Sequence, residues 1–329
     1  MEIIKKRKKM DKKIEGSKRI FLMAHKNLDL DALGSSIGLY TILKKQKKDC
    51  YIVIDDEKHE LGVEKILKEL DGCLKITTGD KVKTLLHKNP KKNLLIILDT
   101  NKKELVQNES IINLITKKIV IDHHGLGKNT IKDALIIQDP NASSTCEMIT
   151  NLLEAYDVTL DPYYATVLLS GIVLDTNNYT LKTTKETYYS SYYLTSLGAS
   201  AKKVQYLLKQ DLKEYTERQK LLTRLTILHK KIAFTKATAT TIYRKEDLAK
   251  LADTLLFFND IEASFVVGKI DKNTVGISAR SLGDYNISSI LEKLGGGGDN
   301  YNGAVTFKNK TITQVERMLK SEIKKQEGV

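Results

Sequence analysis

The stretch Arg19-Ile-Phe-Leu-Met-Ala-His25-Lys-Asn-Leu-Asp29-Leu-Asp31-Ala-Leu-Gly-Ser-Ser-Ile-Gly-Leu-Tyr40-Thr-Ile-Leu-Lys44-Lys45 decides the fold. The apolar run from Arg19 to His25 predicts a buried strand. From Ala32 to about Lys47, Leu33, Ile37, Tyr40 and Leu43 recur every three or four residues, the period of a helix. Lys44 and Lys45 end the apolar stripe. Between strand and helix stand His25, Asp29 and Asp31, at the point where a parallel α/β sheet presents ligand-binding side chains.

The same rhythm continues outward. Tyr51 to Ile54, Leu94 to Leu98, Lys118 to Ile121 and Ala134 to Ile137 are predicted strands, and Ser144 to Tyr156 and Pro162 to Leu174 are predicted helices. Alternation of this kind implies an α/β class fold, a mostly parallel sheet with helices on both faces. Residues 196–229 read as a charged helical connector, following a catalytic domain over 19–195. Residues 230–329 change rhythm. Ala237 to Tyr243, Ala263 to Ile270 and Val275 to Ser281 are expected strands; Asp247 to Phe258, Ile287 to Leu294 and Thr311 to Lys325 are expected helices. They make a smaller α+β substrate domain.

Composition narrows the function classes. A hydrophobic content of 41% and a charged content of 29% describe a globular chain, not a disordered one. No apolar run reaches the roughly 18 residues of a membrane span, and no secretory leader is visible. Cys50, Cys73 and Cys146 are odd in number and widely spaced, so neither a disulfide framework nor a cysteine zinc site is expected; a cytoplasmic setting is. The net charge of +13 invites a nucleic-acid reading, but only seven of the 54 basic residues are Arg. Residues 1–18 read as a basic tail or the end of a linker helix, and their first thirteen residues alone carry +5. Base-reading surfaces favour arginine and stacking aromatics, so no duplex nucleic acid is expected as a partner.

Four short segments gather acidic and imidazole side chains: His25 with Asp29 and Asp31, Asp99, Asp122-His123-His124, and Asp175. Three follow predicted strands, whose carboxyl ends share one crevice. Each has an innocent reading. Asp31 could cap the helix at Ala32, Asp29 could serve its turn, and Asp99-Thr-Asn could be a strand-end turn. Together they ask for four coincidences at one sheet edge, and the functional reading wins. Histidine and carboxylate without cysteine suit Mn²⁺ or a similar ion better than structural Zn²⁺. There are enough carboxylates for two ions, which could clamp the attacking and leaving oxygens of a phosphoryl displacement and activate water between them.

The succession His25-x-x-x-Asp29-x-Asp31, Asp99, Asp122-His123-His124, Asp175 resembles the DHH phosphoesterase superfamily. Ser278-Ala-Arg280-Ser281 and Leu294-Gly295-Gly296-Gly297-Gly298 resemble its DHH-associated C-terminal domain. Ala252-Asp-Thr-Leu-Leu, Gly276-Ile-Ser-Ala-Arg-Ser-Leu-Gly and Glu292-Lys-Leu-Gly-Gly-Gly-Gly are most similar to the catalytic part of GdpP-type cyclic di-AMP phosphodiesterases, which commonly carry membrane spans and sensory domains upstream. The resemblance implies two Mn²⁺, one on His25, Asp29 and Asp99, the other on Asp31, Asp99, His123 and Asp175, with Asp99 bridging. It places His124 beside the scissile phosphate, with Asp122 orienting its loop. It also implies substrate contacts at Ser143 and Ser144 and, from the second domain, at Arg280 and Gly295, Gly296, Gly297 and Gly298. Asp299 stands where the family continues with histidine, which alters the charge offered to a phosphate. The implied activity is hydrolysis of cyclic di-AMP to pApA by a homodimer. The alternatives are a nanoRNase acting on pApA or short oligonucleotides, a pAp phosphatase, and a catalytically decayed cyclic-dinucleotide-binding protein.

Overall fold

A computed structural model describes residues 1–55, 59–127, 129–298 and 300–328. The chain divides into two compact units, Met1–Lys209 and Gln210–Val329. The first unit begins with helix α1 (Glu2–Glu15) and continues β1 (Arg19–Met23), α2 (Leu30–Lys45), β2 (Asp49–Val53), α3 (Leu61–Glu69), β3 (Ile76–Thr77), α4 (Gly79–Leu85), β4 (Asn93–Leu98), α5 (Glu109–Leu114), β5 (Lys118–Asp122) and β6 (Leu135–Gln138). Helices α6 (Thr145–Ala155), α7 (Pro162–Asp175), α8 (Lys185–Ser196) and α9 (Ala201–Leu207) complete it.

The six strands form one parallel sheet in the order β3-β2-β1-β4-β5-β6. Alternate strand residues feed different cores. Ile20, Leu22, Ile96 and Ile121 join the core beneath α1, α2, α6 and α7, whereas Phe21, Met23, Leu95, Ile97 and Val120 pack with Val82, Ile111 and Ile112 of α4 and α5 on the other face. Both faces are therefore covered, as near-continuous apolar strands require.

Strand order reverses between β1 and β4, which opens a crevice at their carboxyl ends. Register then sets the heights. Met23 pairs with Ile97 and Leu98 with Ile121, so His25, Asp99 and the residues after Asp122 leave the sheet at one level. Helix α2 is buried nearly all round, not only along one stripe, because α6 and α7 lie against its small-residue face. At Gly171 of α7 a Cβ would lie 2.9 Å from the Asp31 Cα and 3.0 Å from the Leu30 carbonyl, so glycine permits this approach.

Helix α1 is docked rather than loose. Ile3, Met10 and Ile14 are buried, the Glu2 N–H donates to Asp139 at 2.9 Å, and the Lys6 Nζ donates to the Ile136 carbonyl at 3.1 Å. The basic residues occupy its remaining face, an amphipathic arrangement that the charge run concealed.

The second unit contains α10 (Leu212–Gln219), β7 (Thr226–Leu228), β8 (Ile232–Lys236), α11 (Lys245–Leu255), β9 (Ala263–Lys269), β10 (Thr274–Ser281), α12 (Ile287–Lys293), β11 (Gly297–Gly298), β12 (Asn302–Lys308) and α13 (Ile312–Glu327). Its sheet runs β11-β12-β10-β9-β8-β7 and is antiparallel except for the β8–β9 pair. The strand expected over Ala237 to Tyr243 is instead β8, just upstream. Ile232, Ala233 and Phe234 are the residues with apolar area to bury, while the threonine-rich segment contributes one isolated bridge at Ile242. Strand β12 alternates buried Gly303, Val305 and Phe307 with exposed neighbours, a period-2 signal that sequence reading passed over. Among the described residues no helix is long and apolar enough to cross a membrane.

The close approach of α7 to α2 has a direct test. Gly171→Ala forces α7 away from the backbone of Leu30 and Asp31, and overpacking of this kind costs about 1–3 kcal/mol. Urea unfolding should show a lower midpoint at an unchanged slope. A midpoint equal to that of the parent protein would mean that the helices are not in close contact there.

Candidate metal centre

The histidine and aspartate segments converge at the carboxyl ends of β1, β4 and β5. His25 is fixed through its backbone and its ring. Its carbonyl accepts from Gln107 Nε2 at 2.7 Å, and its Nδ1 lies 2.7 Å from the Lys26 carbonyl. A carbonyl can only accept, so Nδ1 carries the proton and Nε2 is left as the ligating nitrogen. That Nε2 is 3.3 Å from Asp99 Oδ2 and 3.6 Å from Asp29 Oδ2.

Asp29, not Asp31, is the N-cap of α2. Its Oδ1 accepts from the N–H groups of Asp31 at 3.0 Å and Ala32 at 2.9 Å, while Oδ2 faces His25. Asp31 is fully buried and serves a different helix. It accepts from the N–H groups of Thr145 at 2.8 Å and Cys146 at 2.7 Å, in the first turn of α6. An anion at that position also gains from the helix dipole.

Asp99 sits between two groups of ligands. It adopts the left-handed conformation, φ 57°, and its N–H remains tied to the Ile121 carbonyl at 3.0 Å. Its Oδ2 faces His25, whereas its Oδ1 accepts from Thr145 Oγ1 at 2.9 Å and lies 3.5 Å from His123 Nε2. His123 Nε2 is 3.2 Å from Asp175 Oδ2 at the end of α7. Neither ring nitrogen of the buried His123 makes a hydrogen bond. Past Asp175 the chain turns through three consecutive left-handed residues, Asn177, Asn178 and Tyr179, with the Tyr179 ring stacked on Tyr188 and its hydroxyl 3.0 Å from Ser191.

His124 differs from His123. Its side chain is 53% exposed, and its Nδ1 is held 2.8 Å from Asp122 Oδ1. Asp122 is held in turn by Asn101, whose Nδ2 donates to Oδ2 at 2.6 Å. Burial pulls the His124 imidazole down, but Asp122 and the charge of Asp99 outweigh it and raise it to about 9.

The electrostatics call for a cation. Burial, then repulsion from Asp99, pushes the carboxyls of Asp31 and Asp175 well above the usual range. Burial and the neighbouring His124 push His123 down. Burial opposes a charge on His25, yet Asp29 and Asp99 overcome it and hold it well up, while Asp29 falls to about 2 against its own burial because His25 faces it. Three groups of side chains could hold a metal ion, with the ligand atoms in each within 4.8 Å of one another: His25, Asp29 and Asp99; Asp99, His123 and His124; and Asp31, His123 and Asp175, so that Asp99 belongs to two of them. The unpartnered His123 nitrogens and the hard oxygen donors fit such ions. Cys146 is in none of these groups; its Sγ donates to the Asp31 backbone carbonyl at 3.4 Å.

The other expected site residues have mixed placements. Ser143 and Ser144 are buried and bonded locally: the Ser143 Oγ donates to Glu147 at 2.6 Å, and the Ser144 Oγ caps α6 by accepting the Glu147 N–H at 3.0 Å. The Ser143 donor is thus committed to Glu147, whereas the Ser144 cap uses only an acceptor lone pair of its hydroxyl. In the second unit, Arg280 Nε donates to Asp253 at 2.6 Å and Nη1 to the Ala279 carbonyl at 2.9 Å. Gly295 takes the left-handed turn after α12, φ 83°, and the Gly296 N–H returns to the Leu291 carbonyl at 2.8 Å, so this half of the run ends the helix. Gly297 and Gly298 form β11 against β12. Asp299 lies outside the described residues. Sequence reading missed Thr145, Asn101, Gln107 and Asp253, which act on other side chains. Thr145 and Asn101 adjoin motif residues, and that adjacency was the available signal.

Comparison with known proteins agrees with this geometry. Residues 19–172 match the N-terminal domain of the DHH family and residues 229–325 match the DHHA1 domain. The cyclic-di-AMP phosphodiesterase GdpP of Geobacillus thermodenitrificans is 36% identical over 317 residues, which cover 94% of this chain and 48% of that protein. The chain thus spans about half the length of that relative. The bifunctional oligoribonuclease and PAP phosphatase NrnA of Thermus thermophilus is 27% identical, over 94% of this chain and 90% of its own. The crystal structure of an exopolyphosphatase-related protein from Bacteroides fragilis shares the fold with a TM-score of 0.80 at 20% identity, covering 97% of this chain and 95% of that one. The chain therefore carries a DHH-family N-terminal domain over residues 19–172, followed by a DHHA1 domain over residues 229–325.

Proposed function

We propose that this protein is a phosphodiesterase that hydrolyses cyclic di-AMP to pApA with two divalent cations, Mn²⁺ being the favoured ion. The observation that carries the reading is Asp99, whose two oxygens open toward two separate ligand sets. The likeness to GdpP supports the substrate. His25, Asp29 and Asp99 would hold one ion, and Asp31, Asp99, His123 and Asp175 the second. Bound there, such ions activate water and offset charge on the reacting phosphate.

The chain's own groups supply the rest. His124, anchored through Nδ1 on Asp122, lines the cleft beside Asp99 and is raised to about 9, so that in the metal-free protein it carries a proton at neutral pH. It would donate that proton to the ribose oxygen that leaves as the phosphodiester P–O bond breaks, with Asp122 balancing the imidazolium. Asn101 keeps Asp122 from turning away. Arg280 and the glycine run Gly295 to Gly298 would receive the dinucleotide, while Ser143 and Ser144 support the cleft by fixing the start of α6. Free Cys50, Cys73 and Cys146 fit a reducing cytoplasm. We further propose a homodimer.

NrnA, aligned over 90% of its length, favours a second reading in which pApA, short oligonucleotides or pAp are the substrates. Turnover of cyclic di-AMP, pApA and pAp, followed by product chromatography under one Mn²⁺ condition, separates the two. The expected result is fastest hydrolysis of cyclic di-AMP, with pApA accumulating. Faster loss of pApA than of cyclic di-AMP would move the assignment to the second reading. Tight dinucleotide binding with no product would make the protein a binder.

Asp99→Asn should lower kcat by about 10³-fold or more, equivalent to roughly 4 kcal/mol of barrier, while the circular dichroism spectrum stays unchanged. Asp299→His, which restores the residue type implied by the family, should lower KM for the dinucleotide. Unchanged KM and kcat would show that position 299 makes no substrate contact.

Chelation should abolish activity and Mn²⁺ should restore it. Because the folded, metal-free protein holds the carboxyls of Asp31 and Asp175 and the imidazole of His25 above their usual values, a cation must displace protons to bind. Affinity for Mn²⁺ should therefore rise with pH, and calorimetry in buffers of different ionisation enthalpy should detect proton release. An affinity independent of pH would rule these groups out as ligands.

A further inference from the structure

We propose that Thr145 is the positioning residue that fixes how Asp99 is shared between the two ligand sets; this rests on the two-cation reading above. A carboxylate turns easily about its terminal torsion, so nothing within Asp99 fixes the angle at which its plane stands between the two sets. Thr145 fixes it. Its Oγ1 donates to Asp99 Oδ1 at 2.9 Å, which leaves Oδ2 turned toward His25. A carboxylate oxygen has a second lone pair, so Oδ1 can take this bond and still face the His123 side. Thr145 is fully buried, and no bulk water replaces the hydroxyl if it is lost.

The same residue holds a second carboxylate. The Thr145 backbone N–H donates to Asp31 Oδ2 at 2.8 Å, so one residue sets the spacing between a ligand of the second set and the ligand shared by both. Thr145 is itself fixed as the first residue of α6, immediately after the Ser144 cap. The backbone bond to Asp31 survives any side-chain change, whereas the hydroxyl bond to Asp99 does not. Substitution therefore isolates the sharing of Asp99 from the placement of Asp31.

The test compares Thr145→Val, which keeps the side-chain shape without the donor, with Thr145→Ser, which keeps the donor. Mn²⁺ is titrated into the metal-stripped full chain by calorimetry and electron paramagnetic resonance, with melting temperature in EDTA as the folding control. Wild type and Thr145→Ser should bind two Mn²⁺ as a spin-coupled pair. In Thr145→Val one of the two cations should bind about 10–100-fold more weakly, as for removal of an outer-shell partner. Its spectrum at limiting Mn²⁺ should show the hyperfine pattern of a single ion, and kcat should fall while KM for cyclic di-AMP holds. Thr145→Ala makes the same comparison if the valine variant melts early. A valine or alanine variant that binds both ions as wild type does, or a serine variant that fails as valine does, overturns the role of Thr145. Wild-type protein that neither binds Mn²⁺ nor hydrolyses the dinucleotide overturns the functional reading itself.

Discussion

Four carboxylates, Asp29, Asp31, Asp99 and Asp175, are brought into one cleft beside the imidazoles of His25 and His123, and the placement of the surrounding strand ends and helix ends follows from that crowding. Neighbouring anions withdrawn from water repel one another strongly, and burial raises the cost of each charge. Left alone, such a cluster would take up protons or open. The fold prevents opening by fixing these residues to five rigid elements: His25 after β1, Asp29 and Asp31 at the start of α2, Asp99 after β4, His123 after β5 and Asp175 at the end of α7. On the two-cation reading, positive charge from outside the chain would relieve the repulsion, and the Nε2 of His123, which makes no hydrogen bond, faces Asp99 and Asp175.

Holding the ligands costs conformational energy as well. Asp99 is placed by a left-handed backbone at the point where β4 ends, and Asp175 precedes a left-handed turn that includes Tyr179, an aromatic residue ill suited to it. Each such residue is unfavourable by about 1–3 kcal/mol. The compensation is local: the Asp99 N–H keeps its ladder bond to Ile121, and Tyr179 is locked by stacking on Tyr188 and by the Ser191 contact. Strain concentrated on either side of the shared cleft is what a site looks like when ligand direction outranks backbone comfort.

Much of this was legible in the residues alone. The strand after Arg19, the helix through Leu33 and Leu43 and the apolar runs at Leu94 and Lys118 predicted a parallel sheet, and the parallel sheet predicted which ends would meet. Periodicity failed where apolar content was sparse or shared with charge. The lysine-rich start hid the buried Ile3, Met10 and Ile14, and the alternating Ala-Thr segment at 237–243 imitated a strand that has little to bury. Thr145, Asn101 and Asp253 were invisible for another reason. They touch side chains far from them in sequence, and only the fold says that Thr145 meets Asp99 or that Asp253 meets Arg280.

The cap that the sequence offered to Asp31 belongs to Asp29, and Asp31 bonds the start of another helix, yet in both residues this bonding is compatible with metal ligation. Helix capping and metal ligation seem to compete for the same oxygens, but a carboxylate has four acceptor positions and a cap occupies only some of them. By engaging Oδ1 with the start of α2, Asp29 fixes the direction of its Oδ2, which faces His25. Asp31, accepting one N–H on each oxygen from the start of α6, has its plane fixed in the same way. Backbone donors at helix starts cannot rotate as side-chain donors can, and their partial positive charge lowers the cost of keeping the anion buried. Bonding to helix starts is therefore the means by which two short, freely turning side chains would become rigid ligands, and it gives a reason for two helices to begin at the mouth of this cleft.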